Sequence, residues 1–203
     1  AGTTLPTRRA MERAGILAIA SEEWGEDSRA ATAGAAPAPD RPPEPTPEQA
    51  AAVADIEGMI DAGGGSLLLH GVPGSGKTEV YLRAIEAARA RGMGSLVLVP
   101  EIALTPQLLG RLRARLGEGV AIWHSALTPA QRAAEHRRVR EGAADVVLGA
   151  RSAVFAPVVR LGLVVVDEEH DPSYKKDSSP RYDARQVAAK RARAAGAAAV
   201  YGS

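Results

Sequence analysis

The sequence predicts an α/β fold, a mainly parallel sheet with helices on both faces. Three observations carry this. Short, nearly continuous apolar runs recur beyond Gly63, as strands buried on both faces require. Ala/Arg/Leu-rich stretches of helical length separate those runs. The first run also ends in a glycine-rich turn that opens directly into a helix.

Taken in order, residues 1–27 hold a short helix around Arg8 to Ala14, an apolar stretch Gly15-Ile-Leu-Ala-Ile-Ala and an acidic segment from Ser21 to Asp27. That is too little surface to bury a core alone. Residues 28–46 are dense in Ala and Pro and show no periodicity, so they read as an extended linker. The linker ends at Thr46-Pro47-Glu48-Gln49, which combines a cap, proline at the first helical position and glutamine at the third, so a helix should run from there to about Ala62. Strands are expected at Ser66–His70, Ser95–Val99, Gly119–Trp123, Asp145–Leu148, Leu161–Val166 and Ala197–Tyr201. Helices are expected between them at Lys77–Arg91, Ala103–Leu116, Pro129–Glu141 and Asp183–Ala195. The α/β domain therefore covers about residues 47–203, and no internal repeat is present.

Composition narrows the class. The 203 residues are 45% hydrophobic and 24% charged with a formal charge of +1, the balance of a globular chain and not of a disordered or strongly basic one. Aromatic residues make up 3%, which weakens any reading as a platform of rings for stacked bases. Cysteine is absent, so disulfides, cysteine nucleophiles and Cys-ligated zinc are excluded within these residues. No apolar run approaches the ~20 residues of a membrane span, so no membrane partner is expected. The surplus of Ala, Gly, Pro and Arg is that of a GC-rich coding bias.

Two motifs carry chemistry. Gly71-Val72-Pro73-Gly74-Ser75-Gly76-Lys77-Thr78 matches the phosphate-loop pattern in full and lies between an apolar run and a helix. Its glycines let the backbone wrap a triphosphate with N–H groups inward, and the helix start adds the positive end of a dipole. Lys77 would reach the β and γ phosphates of ATP, and Thr78 would place a hydroxyl on Mg²⁺. The second motif is the run Leu163 to Val166 opening into Asp167-Glu168-Glu169-His170. A buried strand delivers these groups to the carboxyl edge of the sheet, where open α/β sheets bind ligands. Asp167 would hold Mg²⁺ through its water shell and Glu168 would orient and deprotonate the attacking water. Three adjacent carboxylates repel one another unless a cation is close.

With a phosphate loop some ninety residues before Asp-Glu-Glu-His, the chain resembles the superfamily 2 helicases. The resemblance is closer to the replication-restart (PriA) family. It rests on Gly74 to Tyr81, Val99 to Gln107, His124-Ser125, Gly149 to Pro157, Asp167 to Asp171, Ser173 to Lys175 and Pro180 to Tyr182, all in order over about residues 47–203. It implies a P-loop NTPase of RecA-like fold, the first motor lobe of an ATP-dependent 3′-to-5′ DNA helicase that works with replication-restart proteins on single-stranded and forked DNA. It further implies a bacterial, cytoplasmic, nucleoid-associated protein. Residues 1–27 then resemble the end of a winged-helix DNA-binding domain, with 28–46 its tether. The family's third motif would continue beyond Ser203 as Ala-Thr-Pro, and its zinc-binding cysteines would lie in a second half outside these residues. The sequence departs from the family at Ala150, Lys176 and Asp183, where Thr, Gln and His are usual.

The resemblance gives further residues two readings each. Gln49 is either an adenine contact or a capping-box glutamine. In Pro100–Gln107, the helix-start N–H groups, the Thr105 hydroxyl and Gln107 would grip a DNA phosphate; the same segment also reads as an ordinary proline-containing helix start. Arg151, with Ser152 beside it, is either a bidentate phosphate donor or a salt-bridge partner of the acidic tetrad. Arg132, Arg137, Arg138 and Arg140, and Lys190, Arg191 and Arg193, form basic faces that read as solvated surface or as tracks for a nucleic-acid backbone. Trp123 reads as core and His124 as structural. Two other function classes fit parts of the pattern: a DNA-binding relative without turnover, and a stand-alone phosphate-loop ATPase acting on protein.

Overall fold

The six apolar runs form the six strands of one sheet in a computed structural model, which describes residues 42–125 and 127–203. The expected short helix and winged-helix remnant in residues 1–27, and the linker up to residue 41, lie outside the described residues. Helix α1 (Pro47–Asp61) is followed by β1 (Gly65–Leu69), α2 (Lys77–Ala90), β2 (Gly94–Leu98), α3 (Pro106–Leu116), β3 (Val120–Trp123), α4 (Pro129–Arg140), β4 (Val146–Gly149) and β5 (Leu161–Val166). A two-residue hairpin, β6 (Lys175–Lys176) and β7 (Tyr182–Asp183), precedes α5 (Ala184–Ala195) and β8 (Ala198–Gly202).

The sheet order is β1-β8-β5-β2-β4-β3, and every pairing in it is parallel. Side chains alternate between faces along a strand, and both faces are dry at β2 to β5, whereas edge strand β1 is part-exposed, with Leu68 62% in solvent. Val97, Leu163 and Val165 pack with Ile56 and Ile60 of α1, Leu82 and Ile85 of α2 and Leu112 of α3. Leu96, Leu98, Val164 and Val166 turn the other way, against Val139 of α4 and Ala184, Ala188 and Ala192 of α5. Each fully buried Leu or Val side chain contributes about 1.5–3 kcal/mol of hydrophobic free energy, and alanine on α5 lets that helix approach the sheet closely. Trp123 is buried in the second core with its ring 6.1 Å from that of His136, as a core residue should be.

The caps follow the sequence signals. Thr46 and Gln49 form a reciprocal capping box on α1, and Thr128 and Gln131 form another on α4. Asp183 accepts from the Arg185 N–H at 3.0 Å and caps α5. One boundary differs from the expectation by more than a residue. The helix expected from Ala103 begins at Pro106, because Glu101–Ala103 closes a separate 3₁₀ turn and Thr105 is extended at φ −81°, ψ 153°. A residue that precedes proline is driven out of the helical region.

Candidate nucleotide site at the carboxyl edge of the sheet

Strand β8 lies between β1, which feeds the phosphate loop, and β5, which feeds the acidic motif. The chain leaving β8 therefore stitches the two motifs together. Ser203 N–H donates to the Leu69 carbonyl at 3.1 Å, Gly71 N–H donates to the Ser203 carbonyl at 3.0 Å, and Glu169 N–H donates to the Gly202 carbonyl at 2.7 Å.

The phosphate loop has the shape its glycines require. Gly74 and Gly76 sit at φ 82° and 84°, in the left-handed region that residues with a Cβ avoid. A methyl at Gly76 would also run into the Gln49 amide nitrogen. No side chain caps the first turn of α2, so its N–H groups face the loop. A cleft of about 550 Å³ opens above them, bounded by Thr46, Gln49, the loop from Pro73 to Thr78, Arg111, Asp167 and Glu168. Volume, glycine backbone and open helix start together fit a nucleoside triphosphate.

Lys77 opens α2 on the wall of this cleft. Its Nζ donates to the Gly71 and Ser203 carbonyls at 2.8 and 3.2 Å and lies 3.5 Å from Glu168 Oε1. This ammonium is the cation that the adjacent carboxylates need, and His170 Nε2 stands 3.6 Å from the other Glu168 oxygen. Glu168 adopts φ 46°, a conformation costing a non-glycine residue about 1 kcal/mol or more. That geometry turns its carboxylate back toward the loop.

Asp167 is built differently. Its Oδ1 accepts from the Tyr81 hydroxyl at 2.9 Å, and its backbone carbonyl accepts from the Tyr174 hydroxyl at 2.6 Å. Burial is the main influence on its carboxyl and raises its pKa, while the Tyr81 hydrogen bond opposes that shift. Among the described residues no three His, Asp or Glu side chains form a closed metal cage. The Thr78 and Asp167 pair on the cleft wall fits Mg²⁺ held mainly by phosphate oxygens and water, its usual mode.

Gln49 does two things at once. Its Oε1 accepts from Thr46 N–H at 3.0 Å, closing the capping box, and its Nε2 donates to the Ser75 carbonyl in the phosphate loop at 2.9 Å. The linker end adds another wall: Arg83 donates to the Pro43 carbonyl at 2.8 Å, which holds residues 43–46 beside the loop. Beneath the loop, Glu79 is 4% exposed and bonded to both Arg83 and Arg115, and Arg115 also grips Glu86. This network ties α2 to α3. Arg111, Tyr81, Tyr174 and the linker contact had no local signal that assigned them a role.

Thr105, Gln107, Arg151 and Ser152 collect after the ends of β2 and β4, which are neighbours in the sheet. Thr105 spends its oxygen as the cap of α3, accepting from Leu108 N–H, while Gln107 and Ser152 are exposed. Arg151 makes no ion pair with the acidic tetrad; its guanidinium donates instead to the Ser173 and Lys175 carbonyls just beyond it. The Arg151 guanidinium is thus held by residues 173 and 175, beyond the tetrad. Arg191 likewise leaves the basic face, donating to the Val154 carbonyl, whereas Arg132, Arg137, Arg140, Lys190 and Arg193 are exposed.

Comparison with known proteins agrees with this layout. The DEAD/DEAH box helicase family matches residues 46–199. Replication restart protein PriA of Bacillus subtilis is 48% identical over 148 residues, which are 72% of this chain and 18% of that protein. PriA of Treponema pallidum is 55% identical over 141 residues, covering 70% of this chain and 22% of the relative. PriA of Synechocystis is 42% identical over 187 residues, covering 92% and 22%. The chain thus spans about a fifth of the length of these relatives. Among solved structures, the DUF1998 helicase MrfA superposes with TM-score 0.55 at 19% identity, over 90% of this chain and 29% of that one. RecG bound to a three-way DNA junction superposes with TM-score 0.52 at 24% identity, over 78% and 21%. At such identities these two matches speak for the fold, a RecA-like α/β domain.

Proposed function

This chain belongs to the DEAD/DEAH box helicase family, and we propose that it is the first ATP-binding motor lobe of a PriA-type 3′-to-5′ DNA helicase that serves replication restart. The observation that carries the reading is the meeting of two motifs ninety residues apart: Lys77 Nζ lies 3.5 Å from Glu168 Oε1 in one cleft large enough for a nucleotide. In this reading residues 47–203 are the lobe, 28–46 a tether and 1–27 the end of a winged-helix domain. The setting is the bacterial cytoplasm at the nucleoid, with replication-restart proteins as partners. None of the described helices is long and apolar enough to cross a membrane.

Each residue has a role. Backbone N–H groups of Gly74, Gly76, Lys77 and Thr78 cradle the phosphates of ATP, and Lys77 exchanges its carbonyl partners for phosphate oxygens. Gln49, already bonded to the loop, lines the adenine side. Thr78 and Asp167 hold Mg²⁺, which when bound neutralises charge on the phosphate oxygens. Glu168, freed from Lys77, orients a water and takes its proton. DNA would run over Thr105, Gln107, Arg151 and Ser152, where backbone N–H groups and Arg151 read phosphates. Because Lys77, Thr78, Asp167 and Glu168 are all present and assembled, a relative without turnover is disfavoured. The DNA-side segments disfavour an ATPase acting on protein.

The 203-residue chain should bind ATP with Mg²⁺ but turn it over slowly and unwind nothing. Charge developing on the γ phosphate needs arginines from a second lobe, worth about 10³–10⁵ in rate in comparable enzymes. Steady-state ATPase measured with saturating single-stranded DNA, beside full-length Bacillus subtilis PriA, tests this. A chain that binds no ATP sinks the motor reading. DNA-stimulated turnover equal to the relative's sinks the two-lobe argument.

A further inference from the structure

We propose that Tyr81 is the positioning residue that presents Asp167 to the cation, and that residue 202 is glycine to leave room for it. The inference rests on the assignment of Asp167 to Mg²⁺ made above and deepens it. Three features of the fold converge on this carboxylate. Tyr81 is buried and aims its hydroxyl at Asp167 Oδ1, 2.9 Å away. Fully buried Tyr174 fixes the Asp167 main chain from the other side, through its carbonyl. A Cβ at position 202 would overlap the Tyr81 hydroxyl and come within 2.9 Å of Asp167 Oδ1, so any larger residue on β8 would break the bond.

The placement on α2 makes the arrangement specific. Thr78 and Tyr81 are three residues apart and so lie on one helix face. One turn of helix thus supplies the hydroxyl offered to the cation and the phenol that orients its carboxylate. A carboxylate pinned at main chain and at one oxygen loses little freedom on binding, and groups that orient a metal-binding carboxylate typically affect metal affinity 10- to 100-fold. A purely structural phenol would be indifferent to the cation.

The test is a titration of a fluorescent ATP analogue against the chain at fixed nucleotide and rising MgCl₂, with a parallel titration in EDTA. Tyr81→Phe keeps the ring and removes one oxygen. It should raise the MgCl₂ midpoint about tenfold, leave the EDTA affinity unchanged, and melt within a few degrees of wild type. Gly202→Ala, which displaces the hydroxyl, should shift the midpoint the same way. A wild-type chain whose nucleotide affinity ignores MgCl₂ would overturn the underlying cation reading. A wild-type chain that responds, beside a Tyr81→Phe chain with the same midpoint, would overturn this proposal alone. A Tyr81→Phe chain that no longer folds also overturns it, because the fold and not the cation would then need the hydroxyl.

Discussion

Lys77 meets two backbone carbonyls and one carboxylate, so its removal has separable effects. Lys77→Ala deletes the charge-assisted bonds to phosphate, each worth about 1.5–3 kcal/mol, and should weaken ATP binding at least tenfold. Glu168 is 40% exposed and can turn to solvent, so the melting temperature should barely move. Calorimetric titration with ATP checks the first effect, and unchanged affinity would remove Lys77 from the site. The carboxylates should divide in the same assay. Asp167→Asn should flatten the dependence of ATP affinity on Mg²⁺, while Glu168→Gln should keep it and, placed in a full-length relative, slow hydrolysis by orders of magnitude. Identical behaviour of the two variants would contradict the division of labour. At this scale the phosphate loop and tetrad were legible because their chemistry demands fixed residue types at fixed spacing. Tyr81, Tyr174 and Arg111 were not, since a tyrosine on an apolar helix face carries no local mark of its distant carboxylate.

Secondary elements were legible where one physical rule acted alone. Strands buried on both faces cannot alternate, and Thr-Pro followed by Gln can hardly be anything but a helix start, so α1 and α4 begin at the expected residues. Where two prolines competed, before and after Glu101–Thr105, the boundary moved by three residues. Contacts between elements are another matter, as the Glu79 network shows. Arg115 and Glu79 are both about 5% exposed as side chains and 3.0 Å apart, joining α2 to α3 behind the phosphate loop. Arg115→Ala leaves Glu79 buried with Arg83 alone, and breaking a buried pair on one side costs about 3–5 kcal/mol. The variant should show that loss in urea unfolding. A change under 1 kcal/mol would mean that Arg83 and water suffice.

For the whole molecule, sheet order was the part that the text of the sequence withheld. Local patterns locate strands, but the insertion of β8 between β1 and β5 is a matter of long-range pairing, and it alone brings Ser203 beside Lys77. That order has a practical consequence through Trp123. This indole lies in β3, at the border of the sheet opposite β1 and the phosphate loop, packed near His136. With Trp24 replaced by Phe, its emission would watch the remote border while ATP binds at the other. No direct quenching is expected on adding nucleotide. Yet if the sheet melts as one unit, ligand at a hundred times its dissociation constant adds about 2.7 kcal/mol, and the melting curve seen by Trp123 must move up by several degrees. An unmoved curve under saturating ATP would mean that the two borders melt separately, so a spectroscopic bystander becomes a gauge of how far the binding energy of the motor site is shared.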